Sequence, residues 1–380
     1  MDFSLTHEQE MMVDACRRVV ARELEPILAA HPPDRSLPKP ATQAVLRHLA
    51  AIGLTGARVP ADAGGTGMSM LDYGLMCEQL PPVILFMLLP QETTVARLHL
   101  GCSEAQRASL LPRLISAEVL TCTAATEPDT GSDPRGIRTR IRRDGDSLVL
   151  NGRKLWISNA TVADLVNVTC VDEDNKLVRV LVEREQSPFD AKEIPVTGLQ
   201  QGHLGEIAFH DCRVPIANLL ADSDDAAKVL TLTWLANRPI IGLGAVHLAQ
   251  RAFDAARTYA ADRRQFGRHL REFQLVQERL ADIETAIVTS RLVCYHALAA
   301  LDRGERANGP SAMAKRYAVS ACEQAIALAM RLHGSMGLSC ELGLERMARD
   351  VRMLAIPDGT PEILTLIQGR EITGVAAFRG

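Results

Sequence analysis

Residues 121–158 read TCTAATEPDTGSDPRGIRTRIRRDGDSLVLNGRKLWIS and separate two long regions with helical patterning. Apolar and polar side chains alternate over 147–150 and again over 154–158, which predicts two strands. The Asn151-Gly152 pair between them is typical of a hairpin turn. Upstream, TEPDTGSD at 126–133 is polar and contains glycine, so it predicts a loop. The stretch therefore predicts β-structure with a polar loop.

This loop has the chemistry of a ligand site. Its backbone N–H groups and hydroxyls suit a ligand rich in hydrogen-bond acceptors, while Trp156 offers a flat apolar face with the Ser158 hydroxyl nearby. A planar heterocycle that carries phosphates would fit this combination. A plain β-domain loop with a core tryptophan fits the residues equally well, and both interpretations stay open on the residues alone.

Composition limits the class of protein. The 380 residues are 47% apolar and 23% charged, which is typical of a soluble protein with more than one domain. The formal charge of −4 is spread without long runs of one sign, so we expect neither a nucleic-acid nor a membrane partner. Nine scattered cysteines without a Cys-x-x-Cys pair, and no signal-peptide pattern, predict a cytoplasmic protein without a metal site.

The periodicity of apolar residues changes twice along the chain, from about 3.6 to 2 and back. It predicts an α+β protein with a helical domain at 1–118, a β-domain at 119–220 and a helical bundle at 221–380. Thr6 and Gln9 form a capping-box pattern before the first helix. In the last domain the predicted helices are at about 226–262, 272–302, 309–335, 341–351 and 360–374, which fits a four-helix bundle.

The paired segments TEPDTGSD and NGRKLWIS resemble the flavin-binding core of the acyl-CoA dehydrogenase family, and the similarity extends over essentially the whole chain. The resemblance implies an N-terminal all-α domain, a central β-domain and a C-terminal four-helix bundle. It also implies FAD as cofactor and a homotetramer built as a dimer of dimers. An electron-transfer flavoprotein is then the expected electron acceptor.

Positions that match the family's motifs are implied to bind FAD. Thr126 would bond the pyrimidine end of the isoalloxazine, Trp156 would lie against the ring, Ser158 would face N5, and Ser132 would meet the diphosphate or the substrate's pantetheine arm. The other implied cofactor contacts are Thr123, Ile157, Arg263, Gln265, Phe266, Gln274, Arg331, Gly334, Ser335, Thr360 and Glu362.

Two of these groups have structural alternatives. Arg263 belongs to an Arg-x-x-Phe-Gly motif and would pair with the FAD diphosphate of a neighbouring subunit; a basic helix end is the alternative. Gly334-Ser335 stands where the family has two glycines, and a helix C-cap is the alternative. His333 beside them is interpreted as a packing or solvent-facing residue.

The segment IPDGTPEI at 356–363 resembles the family's Tyr-Glu-Gly-Thr-x-x-Ile loop, whose glutamate removes the α-proton of the acyl thioester. Asp358 takes that position, so the resemblance makes it the catalytic base. A desolvated carboxylate is a stronger base. The alternative is that Asp358 caps the final helix. Arg238 and Gly359 are implied substrate contacts, and Glu92 is interpreted as a helix-start or solvated carboxylate.

These matches predict an oxidoreductase that introduces a double bond into an acyl thioester. Leu235 stands where the family commonly has an acidic residue beside the thioester carrier, so acyl-CoA and acyl-carrier-protein both stay open. A flavin oxidase or monooxygenase of the nitroalkane-oxidase kind, which uses an aspartate base, is one alternative. A reductase that runs the reaction backwards and a non-catalytic flavin-binding partner subunit are others.

Overall fold

The computed structural model describes residues 4–133, 136–220 and 226–377, and describes only the backbone at 226–228, 230 and 231. Helices come first along the chain, a β-sheet follows, and a second set of helices ends it. The predicted fold class is therefore confirmed. Within the described residues, no helix has the length and apolar composition that crossing a membrane requires.

The N-terminal helices enclose the first part of the core. The capping box is confirmed, because Thr6 Oγ1 accepts from Gln9 N and Gln9 Oε1 accepts from Thr6 N. A π-helical turn at Val20–Leu24 joins the first two helices. The described helices of this region are α1 His7–Val19, α2 Glu25–Ala29, α3 Lys39–Ala51, α4 Met70–Cys77, α5 Pro82–Gly101 and α6 Glu104–Ile115.

Helix α5 is buried along most of its length and on all of its faces. A helix of this kind lies inside a protein rather than on its surface. Glu92 occupies the middle of α5 and is fully buried. The expectation of a helix-start or solvated carboxylate at this position is therefore wrong.

A seven-stranded sheet forms the middle of the molecule, in the order β1-β4-β2-β3-β7-β6, with β5 paired to β4. Apolar side chains such as Leu150, Val168 and Phe209 alternate along the strands and fill one core. The strands are β1 Thr121–Ala124, β2 Arg140–Asp144, β3 Ser147–Ser158, β4 Leu165–Val171, β5 Leu177–Glu183, β6 Asp190–Glu193 and β7 Leu204–Pro215.

The hairpin turn lies elsewhere than predicted. Strand β3 runs without a break through Asn151-Gly152, and the two-residue turn is Gly145-Asp146, between β2 and β3. At Asn151 the pairing with β7 contains a bulge, and the side chain bonds across to Asp211 in both directions, at 2.9 and 2.8 Å. The Asn-Gly pair therefore marks a bulge in this sheet.

Helices form the described part of the C-terminal region, and α7, α8 and α9 pack against one another. Their buried faces join those of the N-terminal helices in one apolar cluster. A short hairpin, β8 Arg264–Gln265 and β9 Arg268–His269, follows α7. The helices are α7 Ala226–Asp262, α8 Gln274–Asp302, α9 Asn308–Leu332, α10 Leu344–Leu354 and α11 Pro361–Thr373.

Candidate active site

Asp358 lies in the connection between α10 and α11, with a left-handed backbone at φ 55°, and the following Gly359 has φ 114°. Such a conformation is costly for a residue with a side chain and persists only where the surroundings enforce it. The N-cap of α11 is Thr360, whose Oγ1 accepts from Ile363 N at 3.4 Å. The alternative interpretation of Asp358 as the cap is therefore wrong.

Two consecutive residues of α7 hold Asp358 in place. Asn237 donates from Nδ2 to the carboxylate Oδ2 at 3.0 Å, and Arg238 donates from Nε to the main-chain oxygen of Asp358 at 2.9 Å. Both are buried, whereas Asp358 itself is half-buried. The carboxylate is therefore fixed on its inner side and keeps access to the space in front of it.

Lys315 on α9 fixes the rest of this loop. Its side chain is buried, and Nζ donates to the carbonyl oxygens of Ala355 (3.1 Å), Gly359 (2.7 Å) and Pro357. Burial lowers the pKa of Lys315 to about 7, although the nearby Asp358 charge opposes this shift. A protonated amine has three donors, which matches the three carbonyls.

A buried ion pair supports Asn237 from behind. Arg58 Nε lies 2.8 Å from each carboxylate oxygen of Glu92. Burial alone would lower the pKa of Arg58, but the Glu92 carboxylate outweighs it and raises the pKa. A terminal Arg58 nitrogen and Thr93 Oγ1 each lie 3.2 Å from Asn237 Oδ1. These contacts orient the amide so that its NH₂ faces Asp358.

Arg97 on α5 is 5% exposed and donates from Nε to Thr233 Oγ1 at 2.8 Å. Burial lowers the pKa of Arg97 to about 9, although the negative charge of Asp358 opposes this shift. Within the described part of the chain no carboxylate forms an ion pair with it. A cavity of about 190 Å³ lies against Arg58 and Thr233, and its other lining residues are Met70, Ala96, His99, Leu100, Leu232, Ala236 and Leu301.

The sheet presents Trp156 outward. The register of β3 shifts between Lys154 and Ile157, and in this bulge Trp156 has φ 61° and stays 53% exposed. Ile157 points into the core of the sheet and Ser158 is half-buried. Because Trp156 is not a core tryptophan, the ligand-site interpretation of this stretch fits the structure better than the plain β-domain interpretation.

The polar loop beside Trp156 is held by a buried ion pair between Glu127 and Lys154, at 2.8 Å. Glu127 also accepts from the main-chain N–H groups of Arg138 (2.7 Å) and Thr139 (2.9 Å). Burial would raise the pKa of Glu127, but these bonds outweigh it and lower the pKa. The loop that begins at Thr126 is therefore fixed without using the Thr126 hydroxyl.

Seven more of the predicted cofactor residues form two groups on the surface, neither of which bonds to Asp358 among the described contacts. Those after α7 are exposed, with Phe266 at 92%: Arg263, Gln265, Phe266 and Gln274. Those after α9 are exposed too: Arg331, Gly334 and Ser335. Gly334 has φ 58° just past the helix end, as a C-cap requires. His333 is buried and stacks on Tyr259, which confirms a packing residue.

Sequence reasoning missed Asn237, Lys315 and Arg97. Lys315 had a signal, because it lies on the same helical stripe as the buried Ser311, Ala318 and Cys322. Asn237 directly precedes the recognised Arg238, but only the three-dimensional contact reveals its role. Arg97 carried no signal beyond its position in an apolar run.

Comparison with known proteins agrees with this geometry. Three family models match: acyl-CoA dehydrogenase N-terminal domain over residues 6–118, middle domain over 122–212 and C-terminal domain over 228–373. The chain belongs to the acyl-CoA dehydrogenase family, whose members are oxidoreductases that act on CH–CH groups.

Individual relatives match over nearly their whole length. A probable acyl-CoA dehydrogenase of Bacillus subtilis, YngJ, is 32% identical over 98% of this chain and 100% of its own. The crystal structure of glutaryl-CoA dehydrogenase from Mycobacterium smegmatis is 30% identical, with a TM-score of 0.92 over 99% of this chain and 97% of that one. A glutaryl-CoA dehydrogenase from that organism in complex with FADH2 is 26% identical, with a TM-score of 0.89 over 99% and 97%.

FAD is the cofactor of this family, and the residues of the sheet fit it. Trp156 offers an exposed aromatic face, and the hydroxyls of Thr126 and Ser158 make no hydrogen bond within the described part of the chain. Polar groups that lack internal partners at the edge of a fixed loop are available to a ligand.

Proposed function

We propose that this chain is an FAD-dependent dehydrogenase that introduces a carbon–carbon double bond into an acyl thioester, with Asp358 as the base that takes the α-proton. The observation that carries the proposal is the half-buried Asp358 carboxylate, which Asn237 holds at 3.0 Å in a strained loop. Bound FAD supplies the hydride acceptor. Thr126, Trp156 and Ser158 would hold its ring, and Ser132 its diphosphate.

Proton transfer needs a carboxylate at a fixed position. Asp358 is one methylene shorter than the family's glutamate, so the backbone must supply the reach that the side chain lacks. The left-handed conformation at Asp358, held by Arg238 and Lys315, is a device of this kind. General bases placed in this way contribute about 10²–10⁴-fold to the rate.

The α-proton also becomes more acidic when the thioester carbonyl is polarised. The backbone N–H of Asp358 makes no hydrogen bond within the described part of the chain, so it is available as a donor to that carbonyl oxygen. One residue would then supply both the base and a donor for the developing oxyanion.

Assembly into a homotetramer, as a dimer of dimers, is part of the proposal. Apolar side chains on α8 stay exposed in the single chain, with Leu275 at 66%, Val288 at 44% and Leu292 at 38%. Val288 and Leu292 lie four residues apart on one face of this helix, and exposed apolar side chains that lie together are typical of an interaction site. The exposed Arg263 supports a role toward the FAD diphosphate of a neighbouring subunit.

Anaerobic bleaching of the bound flavin tests the function and the carrier together. The purified holoenzyme is mixed in parallel with acyl-CoA and with acyl-carrier-protein thioesters that carry the same acyl groups. Rapid bleaching by one carrier series supports the proposal and identifies the carrier. Intact bound FAD that no thioester bleaches, but that a nitroalkane does, would overturn it in favour of an oxidase; no bleaching by either would favour a non-catalytic subunit.

A further inference from the structure

The charged side chains around Asp358 do not balance. Arg58 and Glu92 neutralise each other in a two-oxygen ion pair. Among the described residues, Asp358 is then the one remaining carboxylate that acts electrostatically on Arg97, Arg238 and Lys315. Among the described residues, the side chains around Asp358 therefore carry an excess of positive charge.

Arg97 forms no ion pair with a carboxylate within the described part of the chain. Its side chain is 5% exposed, and Nε donates to the neutral hydroxyl of Thr233 at 2.8 Å. A buried charge without a counterion is costly and is retained where a ligand supplies the opposite charge. The two terminal nitrogens of the guanidinium, which form no bond within the described residues, are the fork that binds a carboxylate.

Arg97 and the proposed base are both held by α7. Thr233 and Asn237 are four residues apart on one face of α7, so they are about 6 Å apart along the helix axis. Thr233 holds Arg97 and Asn237 holds Asp358. The cation and the base are therefore held about one helical turn apart by the same helix.

The part of α5 that carries Arg97 also contacts β1, in the sheet proposed to bind FAD. Thr94 precedes Arg97 by three residues, and its Oγ1 lies 3.0 Å from Thr123 Oγ1 on β1, the strand that leads to the Thr126 loop. Arg97 therefore lies between the strand that would hold FAD and the helix that holds the base.

We infer that the acyl group of the substrate carries a carboxylate at its far end and that Arg97 binds it. The substrate class is thus a short ω-carboxyacyl thioester, in which few carbons separate the α-carbon from the terminal carboxylate. This inference rests on the proposed dehydrogenase function and adds the substrate class. Arg97 acts as a specificity residue, because a plain acyl chain would leave its charge buried without a counterion.

The test compares thioesters that differ in the terminal group. Succinyl-, glutaryl- and adipyl-CoA are set against butyryl-, valeryl- and hexanoyl-CoA, and the rate of flavin bleaching at low concentration gives a preference ratio. Arg97→Gln removes the charge, and Arg97→Lys keeps it. Arg113→Gln, at an exposed ion pair on α6, is the matched control. Flavin content and the circular dichroism spectrum of each variant show whether it folds.

We expect the wild type and Arg113→Gln to prefer one ω-carboxyacyl thioester by roughly ten- to hundredfold, as a charged hydrogen bond provides. Arg97→Gln should lose that preference, and Arg97→Lys should restore part of it. A wild type that prefers plain acyl chains would overturn the inference. So would an Arg97→Gln variant that slows both series by the same factor, because that is the effect of a structural role.

A binding measurement separates this inference from the proposed function. Thioether analogues of glutaryl-CoA and valeryl-CoA lack the thioester that acidifies the α-proton, so calorimetry reports binding alone. Tighter binding of the carboxylated analogue by the wild type, lost in Arg97→Gln, supports the inference even if no thioester bleaches the flavin. Equal binding of both analogues contradicts it even if plain thioesters bleach rapidly.

Discussion

Asn237 Nδ2 donates to Asp358 Oδ2 at 3.0 Å, which joins the middle of α7 to the loop before α11 across 121 positions of sequence. The same amide accepts from Arg58 and Thr93 through Oδ1. One side chain thus connects the buried Arg58–Glu92 pair to the proposed base, and the orientation of the carboxylate depends on a chain of contacts that reaches into α5.

Replacing Asn237 by leucine keeps the volume but removes both functions of the amide. We expect the rate of flavin reduction to fall about tenfold or more because the carboxylate loses its orienting donor. The free energy of unfolding should fall by about 1–3 kcal/mol, since the Arg58 and Thr93 donors lose a buried acceptor. Stopped-flow reduction and urea unfolding measure the two effects. An unchanged rate in a destabilised variant would show that Asn237 is structural alone.

The pKa of Lys315 predicts a pH dependence of stability. Burial lowers it from 10.5 to about 7, so between these values the unfolded chain binds more protons than the folded one. The free energy of unfolding therefore gains a contribution that rises with pH, by at most about 1.4 kcal/mol per pH unit for one group.

Lys315→Met should lack that contribution, and Lys192→Met at an exposed position should keep it. Urea unfolding at pH 7, 8 and 9 gives the difference between wild type and each variant. The free energy of unfolding of the wild type, relative to that of Lys315→Met, should increase as the pH rises. A difference that stays constant would mean that the pKa of Lys315 is close to that of an exposed lysine.

Trp156 should contribute to FAD affinity. In Trp156→Ala we expect the dissociation constant of FAD to rise about three- to tenfold, which corresponds to the worth of one aromatic stacking contact. Trp156→Phe should recover most of it. Because the side chain is 53% exposed, the melting temperature of the apoprotein should change little. Fluorescence titration measures the dissociation constant of FAD, and calorimetry measures the melting temperature. A large loss of apoprotein stability with unchanged FAD affinity would show that Trp156 has a structural role instead.

Arg263 links the cofactor to assembly in this account. Arg263→Gln should weaken FAD binding and reduce the fraction of oligomer, whereas Arg257→Gln, at an exposed arginine six residues earlier on α7, should change neither. Size-exclusion chromatography with light scattering, with and without added FAD, measures both. Tight FAD binding by a monomeric Arg263→Gln protein would rule out the shared site.

The sequence predicted helices and strands well in segments where the apolar residues keep one periodicity. Helix α8 was expected at 272–302 and spans Gln274–Asp302. The predicted position of the hairpin turn was wrong. The pairs that contain Gly145 and Gly152 are both typical of turns, and local turn chemistry does not decide which of them forms the hairpin. The register with β7 does, since Asn151 bonds to Asp211. Strand β2 was missed because three of its five residues are arginines.

The candidate site was predicted only where it follows local motifs. Trp156 and Asp358 lie in recognisable segments. Arg58 and Glu92 are 34 positions apart, and each is an ordinary surface residue by composition. Their burial follows from the packing of α5 inside the molecule, which no local pattern specifies. The same holds for Arg97, whose role is inferred from the lack of an ion-pair partner among the described residues.

The central claim is that Asp358 removes the substrate proton. Single-turnover flavin reduction by the best thioester, compared in wild type, Asp358→Asn and Asp254→Asn, tests it most directly. Asp254 is exposed on α7 and serves as the matched control. We predict that Asp358→Asn binds FAD and thioester normally but reduces the flavin about 10²–10⁴-fold more slowly, while Asp254→Asn equals the wild type. Reduction by Asp358→Asn at the wild-type rate would contradict the account.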